Sequence, residues 1–283
     1  QESTPNATNS NSNGGEASEG NRAAEATSEP SRRERYYIDA PWRCYAMGWQ
    51  ARGGTRPRVA MGSMLCDSEE NKLQVAAFNA EDNCWITSSE ISHPFPPTKL
   101  MWMPNSTSDS SSTSSMWSPE LFASSGTSLE LWHFDESTNS IQNAAHLINM
   151  RNQRYKSPAP LTSFDWSPAR PSKIGTCSVD TTCTIWDIEK QKVDTQLIAH
   201  DKAVYDLAFS SNAHLFASVG ADGSLRVFDQ RNLDHSTIVY ESNPAVPLVR
   251  LAWNALNTNY ICVVPLDAPG VVVLDIRKPS LRN

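Results

Sequence analysis

CSVDTTCTIWDIEK, residues 177–190, decides how this chain is read. Alone, its aspartates, cysteines and tryptophan could wall a catalytic pocket. Beside its neighbours it is one copy of a repeat. SVGADGSLRVFDQR, residues 218–231, runs through the same order of small residues, aspartate turn and apolar strand, and its Phe228-Asp229 pair falls 42 residues after Trp186-Asp187. APGVVVLDIRK, residues 268–278, puts Leu274-Asp275 another 46 residues on. Upstream, SSGTSLELWHF (124–134) and NKLQVAAFNA (71–80) place Trp132 and Phe78 at two successive steps of 54. Self-similarity at such a period outranks any single motif, because each unit must bury its apolar face against the next.

The rest of each unit aligns around that strand. An apolar strand ending in an aromatic residue opens it: YAMGW (45–49), KLMW (99–102), TSFDW (162–166), YDLAF (205–209) and RLAW (250–253). A second strand of small and apolar residues follows: RVAMGS (58–63), LFASSG (121–126), KIGTCS (173–178), LFASVG (215–220) and YICVV (260–264). Short runs of Val, Ile, Trp and Phe between Gly, Pro, Asn, Asp and Ser are the all-β pattern, and long helical periodicity is missing. The order is inner strand, second strand, third strand with the aromatic-Asp pair, then a variable outer strand. The units span about 43–92, 97–150, 160–199, 200–241 and 247–283. A period of about 40–45 residues with four strands and a terminal Trp-Asp is that of WD40 propeller blades.

Composition narrows the function classes. The 283 residues are 39% hydrophobic, enough for a core, and carry a formal net charge of −7. An acidic chain is a poor candidate for direct nucleic-acid binding. No apolar run nears the roughly 18 residues of a membrane helix. Residues 1–34 are Ser, Asn, Glu and Gly with almost nothing large and apolar, and read as a disordered tail ahead of a 35–283 propeller. Residues 105–118, with NSTSDSSSTSS, read as a Ser-rich loop insertion; Ser118-Pro119 beside it is a phosphosite or a solvated loop. The glycosylation sequons at Asn6 and Asn105 lie in these polar segments.

Cys44, Cys66, Cys84, Cys177, Cys183 and Cys262 form no C-x-x-C pair, and the six histidines no H-x-x-x-H or H-x-E pattern. A zinc site is not expected, nor any other metal or cofactor. Most of these cysteines sit in apolar runs and are expected as buried, reduced thiols of an intracellular protein.

The repeat accounts for the opening stretch. Asp180 and Asp222 each lie six residues before the aromatic position, in the turn between second and third strands. Such an aspartate accepts hydrogen bonds from turn backbone and from a histidine ahead of the first strand; His200 is that partner for Asp222, with Ser218 joining from the second strand. Asp180, Trp186 and Asp187 hold the same places in the third unit, which has no such histidine. The first, second and fifth units are expected to lack most of the network. A catalytic reading of Asp180, Cys183 and His200 is weaker: no base is placed beside Cys183, which shares its strand face with Ile185 and Asp187. There is no phosphate loop, no G-x-S-x-G and no carboxylate pair apart from repeat positions. An enzyme is not expected.

At APWRCYAMGW, HPFPPTKLMWMP, APLTSFDW, GTCSVDTTCTIWDIE, TQLIAHDKAVYDLAFS, FASVGADGSLRVFD, DHSTIVYE and VVVLDIRKP the chain resembles one WD40 adaptor family. That family includes plant transparent-testa-glabra type regulators and an animal cullin-associated factor; the resemblance runs from Tyr36 to about Pro279. It implies scaffolding in nucleus and cytoplasm. The implied partners are MYB and basic helix-loop-helix transcription factors in transcription regulation, or dual-specificity tyrosine-regulated kinases. A substrate receptor of a cullin-RING ubiquitin ligase is the alternative. Asp229-Gln-Arg231 and Asp275-Ile-Arg277 resemble the D-x-R contact that cullin-linked WD40 proteins make with the ligase adaptor. The other reading is an ion pair inside each blade that closes the third strand.

If seven blades are the norm, two are missing after the fifth unit, along with that unit's outer strand. Arg35–Ile38 is expected as the strand that completes the last blade. The sequence then reads as a C-terminally truncated fragment, or as an open arc whose edges another chain covers.

Overall fold

The structure, a computed structural model, describes residues 35–50, 56–65, 70–104, 120–149 and 158–278. The 1–34 tail and the 105–118 insertion, each with its sequon, Ser118-Pro119 and Cys66 lie outside the described residues. Tyr36–Asn283 is one compact unit. Its described residues form strands and no helix.

Five antiparallel sheets follow one another along the chain. The first has β1 (Cys44–Trp49), β2 (Arg58–Ser63), β3 (Asn71–Asn79) and an interrupted outer edge, β4 (Cys84–Thr87) and β5 (Ile91–His93), both paired to β3. The second has β6 (Lys99–Trp102), β7 (Leu121–Ser125), β8 (Leu129–Asp135) and β9 (Ser140–Leu147). The third runs β10 (Leu161–Trp166), β11 (Lys173–Ser178), β12 (Thr182–Asp187) and β13 (Lys192–Ile198). The fourth has β14 (Val204–Phe209), β15 (Leu215–Gly220), β16 (Ser224–Asp229) and β17 (Asn232–Glu241). The fifth has three strands, β18 (Leu248–Trp253), β19 (Tyr260–Pro265) and β20 (Val272–Asp275). Each is an antiparallel meander from inner to outer strand.

The sheets pack face to face, and strand alternation sends successive side chains to opposite neighbours. On β12, Trp186 joins Phe164 and Trp166 against Leu121, Leu129 and Leu131 of the second sheet. Cys183 and Ile185, one residue out of phase, pack the other way against Leu207, Phe209 and Phe216 of the fourth. Both faces of the middle strands are therefore buried, which is why β2 and β12 are buried along their whole length, and β11 all but its first residue, and why they read as near-continuous apolar and small runs. The outer strands have one neighbour and carry exposed polar residues, as in β13 and β17. Small residues let the inner strands approach. A Cβ on Gly48 of β1 would stand 2.7 Å from the backbone oxygen of Leu100 on β6, and Gly48's own carbonyl accepts the Trp102 indole N–H at 2.9 Å.

Polar bonds between inner strands complete the stack. The Phe209 amide donates to the Asp165 carboxylate at 2.7 Å and the Leu251 amide to Asp206 at 3.1 Å. The Thr162 hydroxyl donates to the Val204 carbonyl at 2.6 Å. On the outward face of the first sheet Tyr45, Met47 and Trp49 are exposed, Met47 at 78%; on the fifth, Val271 and Val273 are exposed.

Two expectations need correction here. Arg35–Ile38 forms no strand. Side chains rather than a backbone ladder hold it: Tyr36 meets the Phe78 ring edge-on and donates to Asn83 at 2.9 Å, while Ile38 packs on Val59, Met61 and Ala76. The cysteines are also not uniformly buried. Cys177 and Cys183 are, Cys262 is half-buried, and Cys44 and Cys84 are exposed, because Cys44 begins the first inner strand and Cys84 lies on an outer one; all five are free thiols.

Candidate protein-docking surface

The polar network of the fourth sheet stiffens the end opposite its Asp229 turn. The His200 ring is 1% exposed. Its Nδ1 lies 3.0 Å from both Asp222 oxygens and its Nε2 2.8 Å from the Ser218 hydroxyl. Asp222 Oδ1 also accepts the Ser224 amide and hydroxyl, at 3.0 and 2.8 Å, which holds the tight turn at Gly223, φ +78°. Burial alone would raise the Asp222 pKa; the His200 hydrogen bond and charge reverse that and hold it well below the usual carboxylate range.

The third sheet keeps the turn without the histidine. Asp180 Oδ1 accepts the Thr182 hydroxyl at 2.7 Å and its amide at 3.2 Å. The Trp186 indole donates to the Thr176 hydroxyl at 2.9 Å. Asp187 takes the Lys190 amide and the ammonium groups of Lys173 and Lys190, which overcome burial and bring its pKa down to about 2. Here Thr181 occupies the place of Gly223 at φ +74°, where a β-branched residue is strained.

In the second sheet the expected lack of a network is wrong. His93 Nε2 sits 3.0 Å from the Ser124 hydroxyl, which also accepts the Trp132 indole at 2.8 Å. His93 comes from β5, the outer strand of the preceding sheet, further ahead of its inner strand than His200 is from β14. The turn after Ser125 is also shorter and has no aspartate. A lone histidine ahead of KLMW was the only signal in the sequence.

These residues do not form a catalytic site. The Ser218 hydroxyl stands between the Cys183 thiol and the His200 ring, but Cys183 and Ser218 have no exposed surface and His200 almost none. Burial pushes the Cys183 thiol well above its ordinary range, so it carries no thiolate at neutral pH. Asp180 is spent on its own turn.

The exposed chemistry lies at the other end of the fourth and fifth sheets. In each, the aspartate ending the third strand accepts the amide of the arginine two residues on, at 3.0 Å in both. The same carboxylate takes that arginine's guanidinium side-on: Nε–Oδ1 2.9 Å in both, and Nη2–Oδ2 2.5 Å for Arg231 and 2.6 Å for Arg277. The arginine side chains remain 67% and 57% exposed. The Arg231 and Arg277 hydrogen bonds hold Asp229 and Asp275 down at about 2. The two turns are thus copies of one device, one blade apart, presenting pre-set guanidinium groups on the same face. The neighbouring loops join there too, the Ser211 hydroxyl donating to the Ala255 carbonyl at 3.5 Å.

Stacked four-stranded meanders with His–Asp–Ser wiring and an aromatic-Asp strand define a WD40 β-propeller protein. The family model "WD domain, G-beta repeat" matches residues 191–229. The DDB1- and CUL4-associated factor 7 homolog of Dictyostelium discoideum is 45% identical over 246 residues, 87% of this chain and 72% of that protein. The chain belongs to this family of WD-repeat adaptors. An uncharacterized WD repeat-containing protein of Schizosaccharomyces pombe is 37% identical over 86% of this chain, and a WD repeat-containing protein of Saccharomyces cerevisiae 32% over 78%. The chain spans 59% and 46% of those two proteins.

Proposed function

We propose that the protein is a non-enzymatic adaptor that docks on the DDB1-type adaptor of a cullin-RING ligase through the face carrying Arg231 and Arg277, and holds client proteins on its remaining surface. One observation carries the reading: two consecutive blades repeat the same Asp-x-Arg turn with the same bonds. A guanidinium already held by its own aspartate loses little conformational freedom on binding, and its outer edge still bonds backbone or carboxylate oxygens of a partner. The name of the Dictyostelium relative, a DDB1- and CUL4-associated factor 7 homolog, supports the choice of partner. The clients that the family resemblance implies are transcription factors of the MYB and basic helix-loop-helix types or dual-specificity tyrosine-regulated kinases, met in nucleus and cytoplasm.

Arg231→Ala with Arg277→Ala in the intact protein tests the docking. Interface arginines are frequent hot spots, so adaptor affinity should fall by about tenfold or more. The melting temperature should barely move, since exposed pairs contribute about 0–1 kcal/mol. Undiminished adaptor recovery would leave the turns as closures of the third strand, and client scaffolding independent of the ligase would be the function.

A further inference from the structure

Arg170 belongs to the loop between β10 and β11, one blade before the first Asp-x-Arg turn, yet its side chain ends on that turn. Its Nη2 donates to the Gln230 side-chain oxygen at 2.5 Å and to the Ala213 carbonyl at 2.6 Å. Gln230 is the residue between Asp229 and Arg231. It is clasped a second time by its own amide, which donates to the His214 carbonyl at 2.8 Å, and by its Nε2, 3.3 Å from Ala213 O. The central residue of the turn is therefore fixed to two loops, one on each of two blades.

The cost of this arrangement is visible. The Arg170 Nε is buried with no hydrogen-bond partner among the described residues. A half-buried cation with an orphaned, buried donor is a poor choice where stability alone is at stake, since an apolar side chain of similar size would seal the gap without it. What Arg170 supplies that an apolar residue would not is a directional hold on Gln230. The second turn needs no such hold: its middle residue, Ile276, packs against the apolar cluster between the fourth and fifth blades, and its amide donates to the Asn259 carbonyl at 2.9 Å.

We infer that Arg170 is a positioning residue for the docking face, acting through Gln230 to set the direction in which Arg231 meets the ligase adaptor. The docking surface then rests on three blades, although its arginines come from two. This inference rests on the docking reading above, and the test separates the two.

The affinity of the purified intact protein for the purified ligase adaptor is measured for Arg170→Ala, Arg231→Ala, Arg277→Ala, the double variant of Arg170→Ala with Arg231→Ala, Gln230→Ala and Gln230→Glu. Arg231→Ala should lose about tenfold, as an interface arginine does. Arg170→Ala and Gln230→Ala should each lose a smaller factor. Gln230→Glu, which keeps an acceptor for Arg170 but gives up the Nε2 bond to Ala213, should bind more tightly than Gln230→Ala. The double variant should lose no more than Arg231→Ala alone, because a residue that acts through another adds nothing once that other is gone. Losses that multiply would make Arg170 an independent contact and overturn the inference, as would an Arg170→Ala protein that binds normally while Arg231→Ala does not. If Arg231→Ala and Arg277→Ala bind normally, the docking reading fails and this inference falls with it. Should Arg170→Ala melt early, the Gln230→Ala and Gln230→Glu pair decides, since Gln230 lies at the surface end of the contact.

Discussion

Asp165 offers the sharpest check on how the blades are joined. Its carboxylate lies between the inner strands of the third and fourth blades, accepting the Phe209 amide at 2.7 Å. Burial raises its pKa to about 6, from 3.8, against the lowering effect of Lys99 and of that amide. The fold therefore favours the protonated acid. Below about pH 4, where the unfolded chain is also protonated, this preference costs nothing. Between about pH 4 and pH 6 the unfolded chain ionises while the folded state keeps its proton, so stability is lost; above 6 both carry the anion and the loss is complete. The shift of about 2 units corresponds to at most about 3 kcal/mol, fully expressed by about pH 7. It is an upper bound because Asp165 is half-buried rather than sealed. Asp165→Asn keeps an oxygen for the Phe209 amide and cannot ionise. Thermal melting of the intact protein, wild type against variant, from pH 3 to pH 8 should show the variant gaining on the wild type by several degrees, with the change centred near pH 5 and levelling off above pH 6. A difference that stays constant across that range would refute a raised pKa. A difference that grows in the wild type's favour would mean that the Lys99–Asp165 attraction outweighs burial.

Other expectations follow from single residues. Thr181→Gly should raise stability by up to about 1 kcal/mol in urea denaturation, because glycine removes the left-handed strain that Thr181 bears, partly offset by its freer unfolded chain. Gly48→Ala should lower the melting temperature, at roughly 1–3 kcal/mol, since its Cβ would meet the Leu100 backbone, which cannot swing away. Asp222→Asn should cost about 1–3 kcal/mol at neutral pH by weakening the bonds to buried His200. Because the Asp222 pKa is depressed, that cost should shrink as pH falls through and below the ordinary carboxylate range; a cost unchanged by pH would argue that the network does not depend on the aspartate's charge.

The family and fold class were legible in the sequence because a blade is a local object. Trp186 and Phe228 reach their strand neighbours through short hairpins, so composition, turn residues and spacing repeat together. The Asp-x-Arg turns were legible for the same reason: Asp229 and Arg231 are two residues apart, and an aspartate two residues before an arginine bonds its amide and guanidinium wherever the turn permits. The Asp222–His200 pairing was also within reach, since one turn and one strand separate the partners. Bonds between blades were not. Nothing in the spacing says that Arg170 closes on Gln230, that Asp165 takes the Phe209 amide, or that His93 of one blade's edge serves Ser124 of the next. Those partners are chosen by the distance and twist at which neighbouring sheets come to rest, which the bulk of Trp166, Phe209 and Phe216 and the room left at Gly48 and Gly175 set together. The repeat determined what each blade is; packing between blades decided which polar groups meet and in which direction Arg231 points.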